Sequence, residues 1–442
     1  MNFNKLTKTV CVMLCCITVC TFSSGCGIAD LKKTVEINIK TPAITLDVPF
    51  IDPDVQATAQ FLEKAAQTFS EQYTGADVKI TVIQYDNAQE AAAIEESFDT
   101  PDSTDVLFND YFTMESHIHT GRVVPLDDII TPEIRDDIAP VFMSHSTANG
   151  KTYMLPYLYR QNVLAYNKDI FRGAGLDEFI TDDDAIQTWN MEEWETILEK
   201  LREYMPETSF PLPLYAKNNQ GDTHIMTYIR SQGSSFFDEN GYFDLETPEG
   251  IAGLEWIKNC IDKGYMSDNS AYRDILDNFD LWLSGQLAFF VANLGNIQNF
   301  ECDYGLVNFP CVSGGLSTNF LTGFEVFDNG DNDRLDAAKA FVKFIYESDY
   351  LDYSASAIPC SDKIFKKYPN SLRRVEKYIN NSDTGVIFTG RNPNWLGVRN
   401  VFYKHMKDLI NGTKTPAQVA AELDRDCNAA IKDGYDNSVF HE

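Results

Sequence analysis

Residues 150–177 read GKTYMLPYLYRQNVLAYNKDIFRGAGLD. A polar turn at Asn149 and Gly150 leads into Tyr153, Leu155, Tyr157 and Tyr159, which alternate at period two as a strand does. Three polar residues, Arg160 to Asn162, interrupt the pattern, and a second apolar run, Val163 to Tyr166, follows at once. Asn167, Lys168 and Asp169 then break it, and Ile170 and Phe171 open a short helical segment that stops at Gly173 and Gly175. An extended segment this long, polar at its middle, is expected to cross from one lobe of a molecule to another.

Upstream, Val35 to Lys40 and Val78 to Gln84 read as strands. Between them Phe61, Leu62, Ala65, Ala66, Phe69 and Tyr73 fall at helical spacing, with Asp52-Pro53 as the expected cap and Gly75 as the stop. Gln89 to Phe98 reads as a helix and Asp105 to Phe108 as a third strand. This βαβαβ order calls for a parallel sheet with helices on its faces. Ligands meet such sheets beyond the carboxyl ends of the strands, which puts Asn109, Asp110 and Tyr111 at a rim. Downstream, Asn190 with Glu193 predicts a capping box for a helix burying Trp194, Ile197, Leu198 and Leu201. Thr247-Pro248 opens a helix that ends at Gly264, and Leu335 to Ile345 marks another. The tail holds two more, one with Trp395, Val398, Phe402, Met406 and Leu409 on a face, the other running from Thr415-Pro416 to Gly434.

A chain of 442 residues is too long for one core. Its formal charge is −30, and −32 without the first 25 residues, which carry Lys5 and Lys8 and no acid. That surface argues against nucleic acid or an anionic membrane face as partner. Lys5, Lys8, the apolar run Val10 to Phe22 and Ser23-Ser24-Gly25-Cys26 read together as an export signal. The run is shorter than the roughly 20 residues a spanning helix needs, and no other stretch qualifies. Beyond Cys26 the cysteines are Cys260, Cys302, Cys311, Cys360 and Cys427. Their odd number leaves at least one unpaired or paired between molecules; a Cys302–Cys311 bridge and buried free thiols both remain open.

The opening stretch closely resembles the GK-Y-x-x-P … YNKD-x-F-x-x-AGLD passage of family-1 extracellular solute-binding proteins, the ligand receptors of ABC importers. DVLFND followed by GRVVPLDDII is similar to that family's DV-x-x … G-x-x-x-PLDD. TWNMEE resembles its TW-x-E, Leu283 to Phe290 a strand entry, YGLVNFP the second crossover, and NGTKTPAQVAAEL the closing helix. The likeness recurs in order over nearly all of the chain beyond the signal. It implies an α/β, two-lobed periplasmic-binding-protein-like fold (type II), hinged by crossover segments. Residues 35–159 and 311–359 would form the N-lobe, and 160–310 and 360–442 the C-lobe, after a signal peptide (1–25) and a tether (26–34). The chain would cross first in the opening stretch, then at Tyr304–Pro310 and Ser356–Cys360. Ser-Ser-Gly-Cys resembles a lipobox with Ser23 where leucine is usual. That implies a diacylated Cys26 and a place on the extracellular face of a bacterial membrane.

The resemblance further implies a monomeric receptor, without cofactor or metal, that hands a small solute to permease subunits. A carbohydrate is the first expectation and a peptide, polyamine or other polar metabolite the second; a surface glycosidase is the enzymatic alternative. Trp395, which follows Arg391-Asn392-Pro393-Asn394, resembles the cleft tryptophan of maltose-type receptors and either covers a sugar face or belongs to a core. Arg160 sits where the first crossover places a polar contact. Asp110 and Glu325 are placed to accept hydroxyl protons or to cap turns. Where maltose-type receptors often carry an aromatic platform, this chain has Asn293-Leu294-Gly295-Asn296. Either the ligand is smaller or more polar, with Asn296 among its contacts, or stacking has moved to Tyr111, Tyr159 or Phe324. His117 and His119 lie two apart in a predicted helix and share no face. Asp328 to Asp336 lacks the central glycine and final glutamate of a calcium loop and reads as a helix cap. No G-x-S-x-G, H-E-x-x-H or P-loop occurs.

Overall fold

The computed structural model describes residues 33–43, 54–55, 57–86, 89–181, 184–386, 389 and 392–438. The signal segment, Cys26, the Asp52-Pro53 cap and Arg391 lie outside the described residues. Strands β1 (Thr34–Pro42), β2 (Asp77–Tyr85) and β3 (Val106–Asp110) are parallel, with β1 in the middle. Helix α1 (Thr58–Gln72) lays the expected Phe61, Leu62, Ala65, Ala66 and Phe69 into the core.

The expected crossing is the 13-residue strand β4 (Leu155–Asn167). Its second half pairs antiparallel with β5 (Phe289–Ala292) and β6 (Tyr304–Val307). Its first half pairs with β7 (Gly314–Val326), which also lies antiparallel to β3. One strand thus belongs to the sheets of both lobes, and alternation sorts its side chains: Val163 and Ala165 join one core, Leu164 and Tyr166 the other. β7 is the return strand; Tyr304–Val307, expected as a crossover, is instead an element of the second lobe's sheet.

The segment expected as the third crossover pairs with the crossing strand itself. Ile358 and Pro359 pair with Tyr159 and Leu158, and Cys360, Ile364, Leu372, Val375 and Tyr378 pack in the first core. Trp395 is the next large residue in the second core among the described residues, so the chain passes from one core to the other between Tyr378 and Trp395. Amide side chains tie the three passages together at mid-height. Gln161 Nε2 donates to Asn319 Oδ1 at 3.2 Å and to the Asn381 carbonyl at 3.1 Å, while Asn381 Nδ2 donates to Gln161 Oε1 at 3.0 Å. Asn381 also exchanges hydrogen bonds with Asn308 at 2.9 and 2.8 Å. Gln161, Asn308 and Asn319 are fully buried, where an unpaired amide is costly; the polar interruption in the opening stretch is this knot.

Among the longer helices and those near the site are α2 (Met114–His119), α3 (Met191–Tyr204), α4 (Asp222–Arg230), α5 (Pro248–Asp262), α6 (Asn332–Glu347), α7 (Trp395–Ile410) and α8 (Pro416–Asp436). Asn190 and Glu193 form the expected capping box on α3, Thr247 caps α5 and Asp331 caps α6. Gly434, expected to stop α8, lies within it; a Cβ there would come within 2.7 Å of Asn394 Cβ, so its small size is what lets α8 touch the start of α7. Cys260, Cys302, Cys311, Cys360 and Cys427 are free thiols.

Candidate functional site

β3 ends where the first lobe faces the second, and Asn109, Asp110 and Tyr111 leave it in turn. Asp110 accepts from Arg160 Nη2 at 2.7 Å and from the Thr322 hydroxyl, which joins β3, β4 and β7 at the rim. Asn109 Nδ2 donates to Glu90 Oε1 at 2.8 Å, and the Thr113 hydroxyl donates to the same oxygen at 2.5 Å. Behind them Glu325, with no exposed surface, holds His117 Nδ1 at 3.0 Å. Of the expected site residues, Asp110 and Arg160 are therefore engaged with each other and with Thr322, while Asn109 and Glu325 meet through Glu90 and His117.

Burial works against a charged His117, but Glu325 and Glu90 outweigh it and hold its pKa above the ordinary value. A histidine whose pKa rises on folding adds stability that is complete below the unfolded value of about 6.5 and lost as pH climbs through the folded one. Burial pushes the Glu90 carboxyl up as well, which gives a second window of the same sign, opening near the unfolded value of about 4.3. The urea midpoint is expected to fall as pH rises above about 6.5, and His117→Gln to flatten that part of the profile; an unchanged profile in the variant would assign the slope elsewhere.

Tyr111 lines a cavity of about 270 Å³ between the lobes. The first lobe supplies Tyr111, Phe112, Met114, Glu115, Ser144, His145 and Thr147, and the second Phe237, Asp238, Glu239 and Gly241. Thr389 and Asn392, on the third passage, complete the wall. Burial drives the His145 imidazole down to about 4, so it is neutral near pH 7. His145 Nδ1 and Asn392 Nδ2 are buried without hydrogen-bond partners among the described residues. A second space of about 690 Å³ lies on the other side of α2, bounded by His117, His119 and Arg122 and by Pro393, Asn394 and Gly434. The lobes touch there: the Ser116 hydroxyl donates to the Pro393 carbonyl at 2.7 Å, and His119 Nδ1 lies 2.7 Å from the Ser438 hydroxyl.

The remaining candidates stand elsewhere. Tyr159 is 1% exposed, donates to the Tyr378 carbonyl at 3.1 Å and packs against Phe142. Phe324 is buried between Phe108 and Tyr157. Both sit on strand positions whose alternation turns them into the first core, so neither offers a face to a ligand. Asn296 closes its own loop, with Nδ2 donating to the Val291 carbonyl at 2.9 Å and Oδ1 accepting from Asn293 N at 2.9 Å. Trp395 is 1% exposed in the second core, while Asn392 reaches the cavity from the segment just before it. His145, Phe237 and Asn392 carry no motif and were not legible in the sequence. The one faint signal was Asn392, in the polar run ahead of Trp395.

Two lobes joined by β4, β7 and a third passage, with a gap roofed by the loop after β3, define a periplasmic-binding-protein-like architecture. The chain belongs to the bacterial extracellular solute-binding protein family, whose model matches residues 52–351. It is 20% identical over 389 residues to a binding protein of Brucella abortus, covering 85% of this chain and 90% of that one. An arabinooligosaccharide-binding protein of Bacillus subtilis is 25% identical over 209 residues, 46% of this chain and 44% of that one. The structure of the cyclic alpha-maltosyl-1,6-maltose binding protein from Arthrobacter globiformis superposes with a TM-score of 0.71 at 17% identity, covering 90% of this chain and 100% of that one.

Proposed function

We propose that this chain is the receptor of an ABC importer, a monomeric lipoprotein held at the outer face of the membrane through Cys26, which captures a carbohydrate between its lobes and presents it to permease subunits. The observation that carries this reading is the cavity whose walls come from both lobes and from the hinge passage, lined among others by His145 and Asn392, each of which has a buried polar atom without a partner among the described residues. Arabinooligosaccharide and cyclic maltosyl-maltose are the ligands named for two of the relatives, which favours a sugar over a peptide or polyamine. Closure follows from contacts that a solute makes with both walls at once, since a ligand with equal affinity for open and closed forms shifts nothing. The part of this receptor is to hold and release, without turnover; a glycosidase would return cleaved sugar from the same incubation.

Phe237, partly exposed, presents its ring on the second wall, and Tyr111, 4% exposed and packed against Phe112, lines the first. Tyr111→Ala is expected to weaken sugar binding by about 1–3 kcal/mol, the worth of covering one apolar sugar face. A thermal-shift screen of neutral and charged oligosaccharides, peptides and polyamines finds the ligand, because a solute at about a hundred times its Kd adds about 2.7 kcal/mol to the folded state. Calorimetry on the variant then checks the loss. Stabilisation by a peptide alone, with Tyr111→Ala unchanged, would overturn the sugar reading.

A further inference from the structure

One charge near this cleft has no counter-charge among the described residues. Arg230 ends α4 and is 8% exposed. Its guanidinium lies 5.1 Å from the ring centre of Phe236 and 5.4 Å from that of Phe237, with Tyr111 as its titratable neighbour. Phe237 and Tyr111 line opposite walls of the cavity, and the guanidinium lies behind the Phe237 ring rather than on the wall itself. Its Nη1 is buried without a hydrogen-bond partner, and among the described residues no carboxylate pairs with it. Two further arginines among the described residues near the seam are matched: Arg160, over the Phe320 ring, to Asp110 at 2.7 Å, and Arg399, over the Phe112 ring, to Asp222 at 2.6 Å. With 66 acidic against 36 basic side chains in the chain, acids are not scarce; this one position is left unmatched.

A buried guanidinium without an acceptor is costly. The carbonyl end of α4 and two phenyl faces offset part of that cost without neutralising the charge. Burial draws the Arg230 pKa down to about 10, and the group is still a cation near pH 7. The loop that presents the two rings is strained: Phe236 has φ +72°, a left-handed conformation that a bulky residue keeps only where the surroundings enforce it, and such strain gathers at ligand sites. Asn392 adds a second unused buried donor on the wall. The cavity's acids are placed differently. Asp238 and Glu239 are exposed, and Asp238 is engaged by the Asn240 and Tyr242 amides at 2.8 and 2.9 Å. Glu115 lies 4.0 Å from His119.

We infer that the solute is an anionic saccharide, a sugar carrying a carboxylate or phosphate, and that Arg230 receives the charged group as the lobes close. This rests on the carbohydrate-receptor reading above and adds to it the charge of the ligand. The neutral part of the sugar would lie against Tyr111 and Phe237, and its anion would supply the acceptor that Arg230 lacks.

The test sets charged probes beside uncharged counterparts on the full chain: digalacturonate against its dimethyl ester, glucose 6-phosphate against glucose, and citrate as an anion without a sugar. Calorimetry is expected to show one acidic sugar bound at least tenfold tighter than its counterpart, and the pair that responds tells carboxylate from phosphate. Arg230→Gln should erase that margin and Arg230→Lys recover part of it, since lysine keeps the charge without the planar fork. Without ligand, Arg230→Gln should melt no lower than the parent, because the substitution removes a buried unmatched charge; an arginine with only a structural part to play would melt lower when replaced. Equal binding of charged and uncharged sugars, or a margin that survives Arg230→Gln, overturns the anion inference and leaves the carbohydrate reading standing. Arg230-dependent binding of citrate with no sugar bound would instead keep the anion site and sink the carbohydrate reading. If no anionic probe binds, the inference falls.

Discussion

Arg399→Ala is expected to cost about 3–5 kcal/mol of folding stability, the usual penalty for stranding a buried charge. Asp222, at the start of α4, has no exposed surface, and Arg399 on α7 meets it at 2.6 Å. Burial alone pushes the Asp222 carboxyl up, and Arg399 is the main force opposing that push. Without the arginine the carboxylate keeps only the Thr223 amide and hydroxyl. A carboxyl raised on folding contributes stability at low pH and loses it as pH rises through the folded value, so the defect should be larger at pH 8 than at pH 5. Urea unfolding of Arg399→Ala at both pH values checks this. Adding Asp222→Asn should recover part of the loss, as a double-mutant cycle on a coupled pair requires. An additive double variant, or a defect independent of pH, would deny that the pair is what matters. The consequence reaches the cleft: α4 begins at Asp222 and ends at Arg230, and Arg399 also covers the Phe112 ring on the cavity wall.

Trp395→Ala is the second large effect, about 3–5 kcal/mol from the cavity it would leave in the second core. A tryptophan stacked on a sugar in an open cleft would behave the other way, with affinity lost and the urea midpoint nearly kept. Trp395 is 1% exposed among residues such as Val398, Phe402 and Leu423, so the midpoint is expected to drop. Ligand affinity of the fraction still folded is expected to change less than with Tyr111→Ala. The reverse pattern would return Trp395 to the ligand.

The opening stretch was readable as a lobe-crossing strand because two rules met in it. Period-two alternation marks a strand, and a polar break in its middle cannot lie in a dry core unless other polar groups come to meet it. Gln161 is met in that way by Asn319 and Asn381. The helix caps at Asn190, Thr247 and Thr415 were legible for a similar reason: side chain and backbone partner lie within a few residues of each other. The course of the third passage was not legible, because Ser356 to Cys360 has the composition of a strand but no mark of what it pairs with. Its pairing with Leu158 and Tyr159 is a long-range fact.

Sequence alone determined the βαβαβ succession of the first lobe, the long crossing strand, the helix caps at Asn190, Thr247 and Thr415, and the membership of a family. All of these are written in local periodicity or in a succession of motifs. Only the tertiary structure decided which polar and aromatic side chains meet across the gap. It turned Tyr159, Phe324 and Trp395 into cores, brought Tyr111, His145, Phe237 and Asn392 to one cavity, and left Arg230, behind Phe237, without an acid among the described residues. Burial and charge pairing depend on neighbours up to hundreds of residues away along the chain, and no local pattern encodes the absence of a partner.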